Sequence, residues 1–452
     1  MTAAGLAPPH APGTRRRPGG LFWHRDFRLL WIGQTTSKLG SSVTSVALPL
    51  VAVATLDAST FRVALLSAAA WLPWLLVGLP VGAWVDRLPR RPVMLACDLA
   101  ALLLFLSVPV AAWLGRLTYG HLLAVALGAG TASVFFQTAY QVYLPSLLHR
   151  DEVAEGNAKV QATEAAAQVG GPGVAGLITQ LAGAANALLV DVASFLASAL
   201  CLLSIRSRET RPKRARHDST LRQDIGEGIR FVARDPYLRV LTVFGAISNI
   251  GLIGHQAILV VFLVREVGVS PGAAGGLTAA TGLGAVLGAS SATALARRFG
   301  SARSLVAAEL GAAPFGLLIP LTTPRAGLAL TVIGGFVIGA GVAVGNVLKG
   351  GFRQTYTPHG LLGRVTVSMQ LVNYGTIPLG ALLGGALGTA LGVRPAMWIL
   401  TSGLALTGLV LLVGPLHQHR DLPDRPASRV PPGGPRSEAA PPADVPGETV
   451  AP

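Results

Sequence analysis

Residues 78–98 read Gly78-Leu-Pro-Val-Gly82-Ala-Trp-Val-Asp86-Arg87-Leu-Pro-Arg90-Arg91-Pro-Val-Met-Leu-Ala-Cys97-Asp98. An apolar run that begins near residue 61 ends at about 84, and another begins near 93. Between them lie one acid and three arginines, packed into Asp86–Arg91. About 20 apolar residues in helical form cross a bilayer, and clustered arginines hold a short loop on the cytoplasmic side. The stretch therefore reads as the tight inner turn between two membrane helices.

The same alternation extends over the whole chain. Apolar segments fall at about 29–55, 61–84, 93–115, 119–145, 158–182 and 186–205, and again at about 238–264, 272–296, 304–323, 326–349, 365–391 and 395–415. Of the 452 residues 51% are hydrophobic and 13% charged, against about 25% charged in a soluble domain. Mean hydropathy is +0.55. These values exclude a soluble enzyme, a disordered chain and a collagen. The two cysteines, Cys97 and Cys201, sit in apolar runs with no CxxC or Cys/His cluster, so no disulfide framework or zinc site is expected. The Arg-rich start is no secretory signal, and the first apolar run should stay in the membrane.

The net charge of +15 suggests nucleic acid until the charges are located. Thirty of the 36 Lys and Arg residues lie at or near one set of segment ends. Only Arg62, Arg116, Arg265, Arg325 and Arg394 mark the other, and Lys38 lies inside the first segment. The excess is an orientation signal: an even number of crossings, both termini cytoplasmic, in the cell membrane. The run from Arg211 to His217 then faces an anionic leaflet rather than a nucleic acid.

The expected fold is an all-α polytopic membrane protein with twelve transmembrane helices in two pseudo-symmetric six-helix halves. The expected plan is a cytoplasmic tail (1–28), a first half (29–205), a basic linker (206–237), a second half (238–416) and a disordered tail (417–452). Within the linker, Leu221, Ile225, Ile229 and Phe231 have the spacing of an amphipathic surface helix. The halves echo each other at a common offset: Arg90 and Arg303 are 213 residues apart, as are Pro145 and Pro358. Such repeats are the plan of a transporter with its substrate site between the halves.

At this point the residues resemble the major facilitator superfamily. Gly78–Arg91 is similar to its loop signature, with Pro89 where a second Gly is usual. Gly170-Gly171-Pro172-Gly173-Val-Ala-Gly176 resembles a fifth-helix motif of drug:proton antiporters. Gln34-Thr-Thr-Ser-Lys-Leu-Gly40, Asp191-Val-Ala-Ser-Phe195 and Leu362-Gly363-Arg364-Val365 point to the macrolide-efflux and siderophore-export branch. The resemblance covers Phe22 to Leu416. It implies that Gly82, Asp86, Arg87, Arg90 and Arg91 latch the halves on the cytoplasmic face, against the eleventh helix near Val365. It implies that Gly171, Pro172, Gly173 and Gly176 make a bent, close-packed seal.

A charge inside a membrane segment is costly and marks function. Lys38 and Glu164 lie at similar depth in the first and fifth segments, which are neighbours in this superfamily, so they are expected to pair and to be available for proton coupling. Asp191 and His255 are further coupling candidates. Asp98 and Glu309 are expected to pair with the adjacent arginines. Gln34, Gln137, Tyr140, Asn249, Gln256, Asn346 and Asn373 are candidate cavity-lining groups, with Trp71 and Trp74 nearby.

No P-loop is present, and Gly282-Leu-Gly284-Ala-Val-Leu-Gly288 is a helix-packing pattern rather than a dinucleotide loop. The expected activity is non-enzymatic: export of a hydrophobic or amphipathic small molecule by alternating access, driven by a proton gradient. No cofactor, metal or nucleic acid is involved. The expected partners are the substrate and the bilayer, and the protein is expected to act as a monomer. The alternatives are an importer or facilitator on the same fold, then a lipid scramblase or membrane-embedded enzyme.

Overall fold

The computed structural model describes residues 20–85, 88–148, 152–207, 221–358 and 361–423. Those residues form helices and connecting turns. The first half comprises α1 (Arg25–Ala54), α2 (Thr60–Val85), α3 (Arg90–Trp113), α4 (Tyr119–Leu147), α5 (Val153–Ala182) and α6 (Ala184–Ser204). The linker helix α7 (Leu221–Arg234) follows. The second half comprises α8 (Pro236–Val261), α9 (Pro271–Phe299), α10 (Ser301–Ala312), α11 (Leu328–Tyr356), α12 (Leu362–Leu391), α13 (Val393–Thr407) and the short α14 (Leu409–Val413).

Local chemistry sets the boundaries. Asp235 caps α8 by accepting the N–H groups of Tyr237 and Leu238, each at 3.0 Å, and Pro236 opens the helix. Ser270 and Pro271 repeat the arrangement at α9. Single glycines join α5 to α6 (Gly183, φ 88°) and α12 to α13 (Gly392, φ 92°), the same joint in each half. Backbone at such angles favours glycine over any residue with a Cβ. The ninth apolar segment is not one continuous α-helix. α10 ends at Ala312, and a 3₁₀ stretch (Ala313–Leu318) carries the chain on through Pro314, which removes a backbone donor.

Ten helices among the described residues are long and apolar enough to cross a bilayer. α5 and α10 fall outside that group. α5 carries Glu155, Lys159 and Glu164 in its first twelve residues, and α10 is short and broken. Each nonetheless packs within its half as the others do.

Packing repeats between the halves. α1 lies on α5 and α6 as α8 lies on α12 and α13, and α2 lies on α4 as α9 lies on α11. Backbones approach closely through small residues: Gly284 and Gly288 face the α11 carbonyls of Phe336 and Ala340, where a Cβ would not fit. The halves meet reciprocally, α2 against α12 and α5 against α9. We call the face that carries α7 the linker face and the opposite one the far face.

Candidate functional site

The site lies between the halves, at mid-depth. Lys38 is 13 residues into α1 and Glu164 is 11 residues into α5, about 20 and 17 Å along their helices. Lys38 Nζ donates to Glu164 Oε1 at 3.0 Å, and their side chains are 22% and 32% exposed. The expected pair is thus formed, and it is reached by solvent rather than sealed in the core. Tyr140 of α4 and Tyr374 of α12 lie within electrostatic reach of the Glu164 carboxyl, and Arg353 of α11 lies near Tyr374. The Trp71 and Trp74 rings of α2 stand 5.9 and 5.6 Å from the Tyr374 ring, so an aromatic cluster bridges the two halves. Tyr140 keeps its hydroxyl buried without a hydrogen-bond partner among the described residues. Together these groups offer one ion pair, one further cation, two phenols and two indoles. Such a surface can stack an aromatic solute while exchanging a proton.

Tyr374 and Arg353 escaped the sequence reading. Tyr374 directly follows Asn373, which was singled out, yet the amide turns elsewhere. Asn249 Nδ2 donates to the Asn373 carbonyl at 3.1 Å, Asn373 Nδ2 donates to the Met369 carbonyl at 2.8 Å, and Gly245 makes room for the amide. Through these bonds the partly buried asparagines tie α8 to α12. Gln34 is buried with Oε1 unpartnered, Gln137 is half-buried, and Asn346 is exposed. His255 is buried and its Nδ1 contacts the Gly251 carbonyl of its own helix at 3.2 Å. It lines a small cavity with Gln256, Thr278, Thr281 and Thr331, away from the ion pair.

The fifth-helix motif has two working faces. Gly171 faces Ser42 of α1 so closely that a Cβ would collide. On the other face Gly176 lies against Gly272 and Gly275 of α9, with the Pro172 carbonyl beside Gly275 and Gly173 near Ala279. The motif therefore closes the halves toward the far face. The reciprocal contact sets Gly385 and Gly388 of α12 against Phe61, Ala64 and Thr60 of α2. At the far surface Arg265 donates to Asp57 at 2.7 Å, an ion pair across the halves that no sequence pattern announced.

On the linker face, Asp86 and Arg87 lie outside the described residues, and the side chain of Arg91 donates to the Leu203 carbonyl at 2.9 Å, within the first half. Arg90 is the first residue of α3, and Gly82 lies in the last turns of α2. Arg364 of α12 pairs with Glu227 of α7, and Gly228 packs on the Arg364 carbonyl. Asp26 accepts the N–H groups of Arg206 and Ser207 at 3.3 and 2.9 Å, fastening the start of α1 to the start of the linker.

Two expected pairings are corrected. Glu309 does not bond the arginines beside it in sequence. Lys349 of α11 reaches it at 2.7 Å, because α10 turns that face toward α11. Among the described residues Asp98 bonds no arginine either; its hydrogen-bonding neighbour is Ser198 of α6. Arg91 is seven residues away, nearly two helical turns, and is engaged at the helix end. Asp191, fully buried, accepts from Thr44 at 2.5 Å and from Ser194 at 3.0 Å, binding α6 to α1.

Residues 20–435 match the transmembrane secretion effector family. The multidrug efflux pump Tap of Mycolicibacterium fortuitum is 28% identical over 408 residues, covering 88% of this chain and 98% of that one. The enterobactin exporter EntS of Shigella dysenteriae serotype 1 is 26% identical over 406 residues, covering 86% and 92%. Among solved structures, the nucleoside transporter NupG superposes with a TM-score of 0.67 at 11% identity, over 87% of this chain and 99% of that one. A bacterial homologue of the iron transporter ferroportin in its inward-facing state gives 0.66 at 16% identity, over 86% and 98%.

Proposed function

The chain belongs to the transmembrane secretion effector family of major facilitator transporters, and from that premise we propose that it exports amphipathic aromatic small molecules in exchange for protons. It is a multi-pass membrane transporter and not an enzyme. The observation that carries the proton reading is the Lys38–Glu164 pair, held at mid-depth and reached by solvent. A carboxylate facing an ammonium gives up the pair when it takes a proton, and a passing solute then meets a different charge. The Trp71, Trp74 and Tyr374 cluster supports an aromatic substrate, which stacks on rings in offset or edge-on geometry.

The seal and the charges support a sidedness for this conformation. The basic residues at the linker face support a cytoplasmic position for that face and for both termini. The contacts of Gly176 and Gly388 close the far face, so this conformation presents the site to the cytoplasm. Asp86 and the arginines near it serve the opposite state, holding the cytoplasmic face shut against α12. The protein works as a monomer in the cell membrane and needs no cofactor beyond the proton gradient. The test is uptake of a fluorescent aromatic cation into inside-out vesicles under an imposed pH gradient, acid inside. The proposal expects accumulation that Glu164→Gln removes. Equal uptake with the gradient collapsed contradicts it.

A further inference from the structure

A second titratable group lies outside the central site, between α3 and α6. Asp98 is 1% exposed, and its Oδ2 has no hydrogen-bond partner among the described residues. It stands eight residues into α3, about 12 Å from the linker-face end. The groups around it can be named helix by helix. α3 packs on α6 and α4. α6 carries Asp191 and the Cys201 thiol, and α4 carries the phenols of Tyr119, Tyr140 and Tyr143 with His121, which pairs with Ser107. Neither helix contains a lysine or an arginine. On α3 itself the cations are Arg90 and Arg91 at its first turn, and Cys97 adjoins the acid. Lys38, the cation inside α1, bonds Glu164.

The second half supplies the control. Glu309 stands at a similar depth in the third crossing of its half, two residues before the position that the 213-residue offset assigns to Asp98, and is also buried, at 6%. There Lys349 neutralises it at 2.7 Å, with the ammonium also 5.1 Å from the Phe244 ring centroid. At the corresponding depth α4 offers Phe136, Gln137, Thr138, Ala139 and Tyr140, with no cation. A buried carboxylate without a cation is so costly that it takes a proton instead.

We propose that Asp98 is a proton-binding site, carrying an O–H on its carboxyl in this conformation, with the far face sealed, and exchanging that proton with water during the transport cycle. The proton comes from water and returns to water, with no other bond made or broken. Asp191, Ser194 and Ser198 recur along one face of α6 at spacings of three and four residues, and Thr44 donates to Asp191 at 2.5 Å. This hydroxyl row links Asp98 to α1, the helix that carries Lys38. The inference rests on the proton-exchange reading of the central site and adds a second proton-binding group to it.

The test uses the full chain in lipid nanodiscs and infrared spectroscopy. The carbonyl stretch of a neutral carboxylic acid should be present at neutral pH, shift on exchange into D2O, vanish in Asp98→Asn and remain in Glu309→Gln. Ser198→Ala, which keeps the acid and removes its hydrogen bond, should move the band without removing it. A band that survives Asp98→Asn, or that Ser198→Ala leaves in place, overturns the site. Gradient-driven export by Asp98→Asn should fall about tenfold while substrate binding at equilibrium holds. Wild-type export in that variant would make Asp98 a static acid and overturn the coupling role. Gradient-independent export by the wild type would instead sink the proton-exchange reading, whatever the band shows.

Discussion

In the second half a buried glutamate on the third crossing is met by a lysine from the fourth; in the first half the matching aspartate meets a serine and another aspartate. The two halves share packing partners and the glycine joints at Gly183 and Gly392, and their third crossings differ in backbone in that α10 passes into a 3₁₀ stretch where α3 runs unbroken. The buried acids on those crossings differ in electrostatics as well. The second half carries a closed ion pair, suited to a stable scaffold. The first half carries three acids without a closed partner of that kind: Glu164, whose pair with Lys38 is reached by solvent, and Asp98 and Asp191, which are buried among hydroxyl groups. A repeated fold can thus divide labour by side chains without changing how its helices touch.

The comparison can be broken most sharply at Lys349. Lys349→Met leaves Glu309 buried and uncompensated, and should cost about 3 kcal/mol, read as a fall in thermal unfolding temperature in detergent. The matching lesion in the first half, Asp98→Asn, should cost less than ~1 kcal/mol, because no partner charge is stranded. The double change Lys349→Met with Glu309→Gln should recover most of the loss. Equal destabilisation by Lys349→Met and Asp98→Asn would erase the contrast.

Transport sharpens it next. Glu164→Gln should lower gradient-driven export about thirtyfold, measured as the initial rate in inside-out vesicles, whereas Glu309→Gln should change it by less than about threefold. Gly176→Val comes third. Its added side chain meets the Gly272 carbonyl, where even a Cβ would come within 2.5 Å, so the far face cannot close fully. Export should fall about tenfold, and a cysteine placed at the far end of α9 should become accessible to a membrane-impermeant thiol reagent. The smallest effect belongs to Asp57→Asn. That carboxylate is 96% exposed, so its pair with Arg265 is screened, and export should change by about twofold or less and only at low salt.

Much of this was legible in the sequence because membrane insertion imposes strong local rules. Hydropathy marked the apolar segments that form the helices, ten of them long and apolar enough to cross a bilayer, and arginine placement set the expected sidedness. The Lys38–Glu164 partnership could be anticipated because a charge at mid-membrane depth is rare, and two such residues on neighbouring helices have few other partners. Contacts set by how helices rotate against one another were not legible. Lys349 and Glu309 are 40 residues apart on helices whose facing sides no periodicity announces. Asn249 and Asn373 looked like cavity groups, yet amides can also bond backbone, and these do. Asp57 and Arg265 are polar loop residues with nothing in their surroundings to mark a pairing across the halves.

The most direct test of the account is proton movement itself. Inside-out vesicles holding an acid interior, reported by a pH-sensitive dye, should lose part of that gradient when an exported aromatic compound is added. The loss should be absent in Glu164→Gln and undiminished in Glu309→Gln. A wild-type protein that exports the compound while the dye signal stays flat would contradict proton exchange.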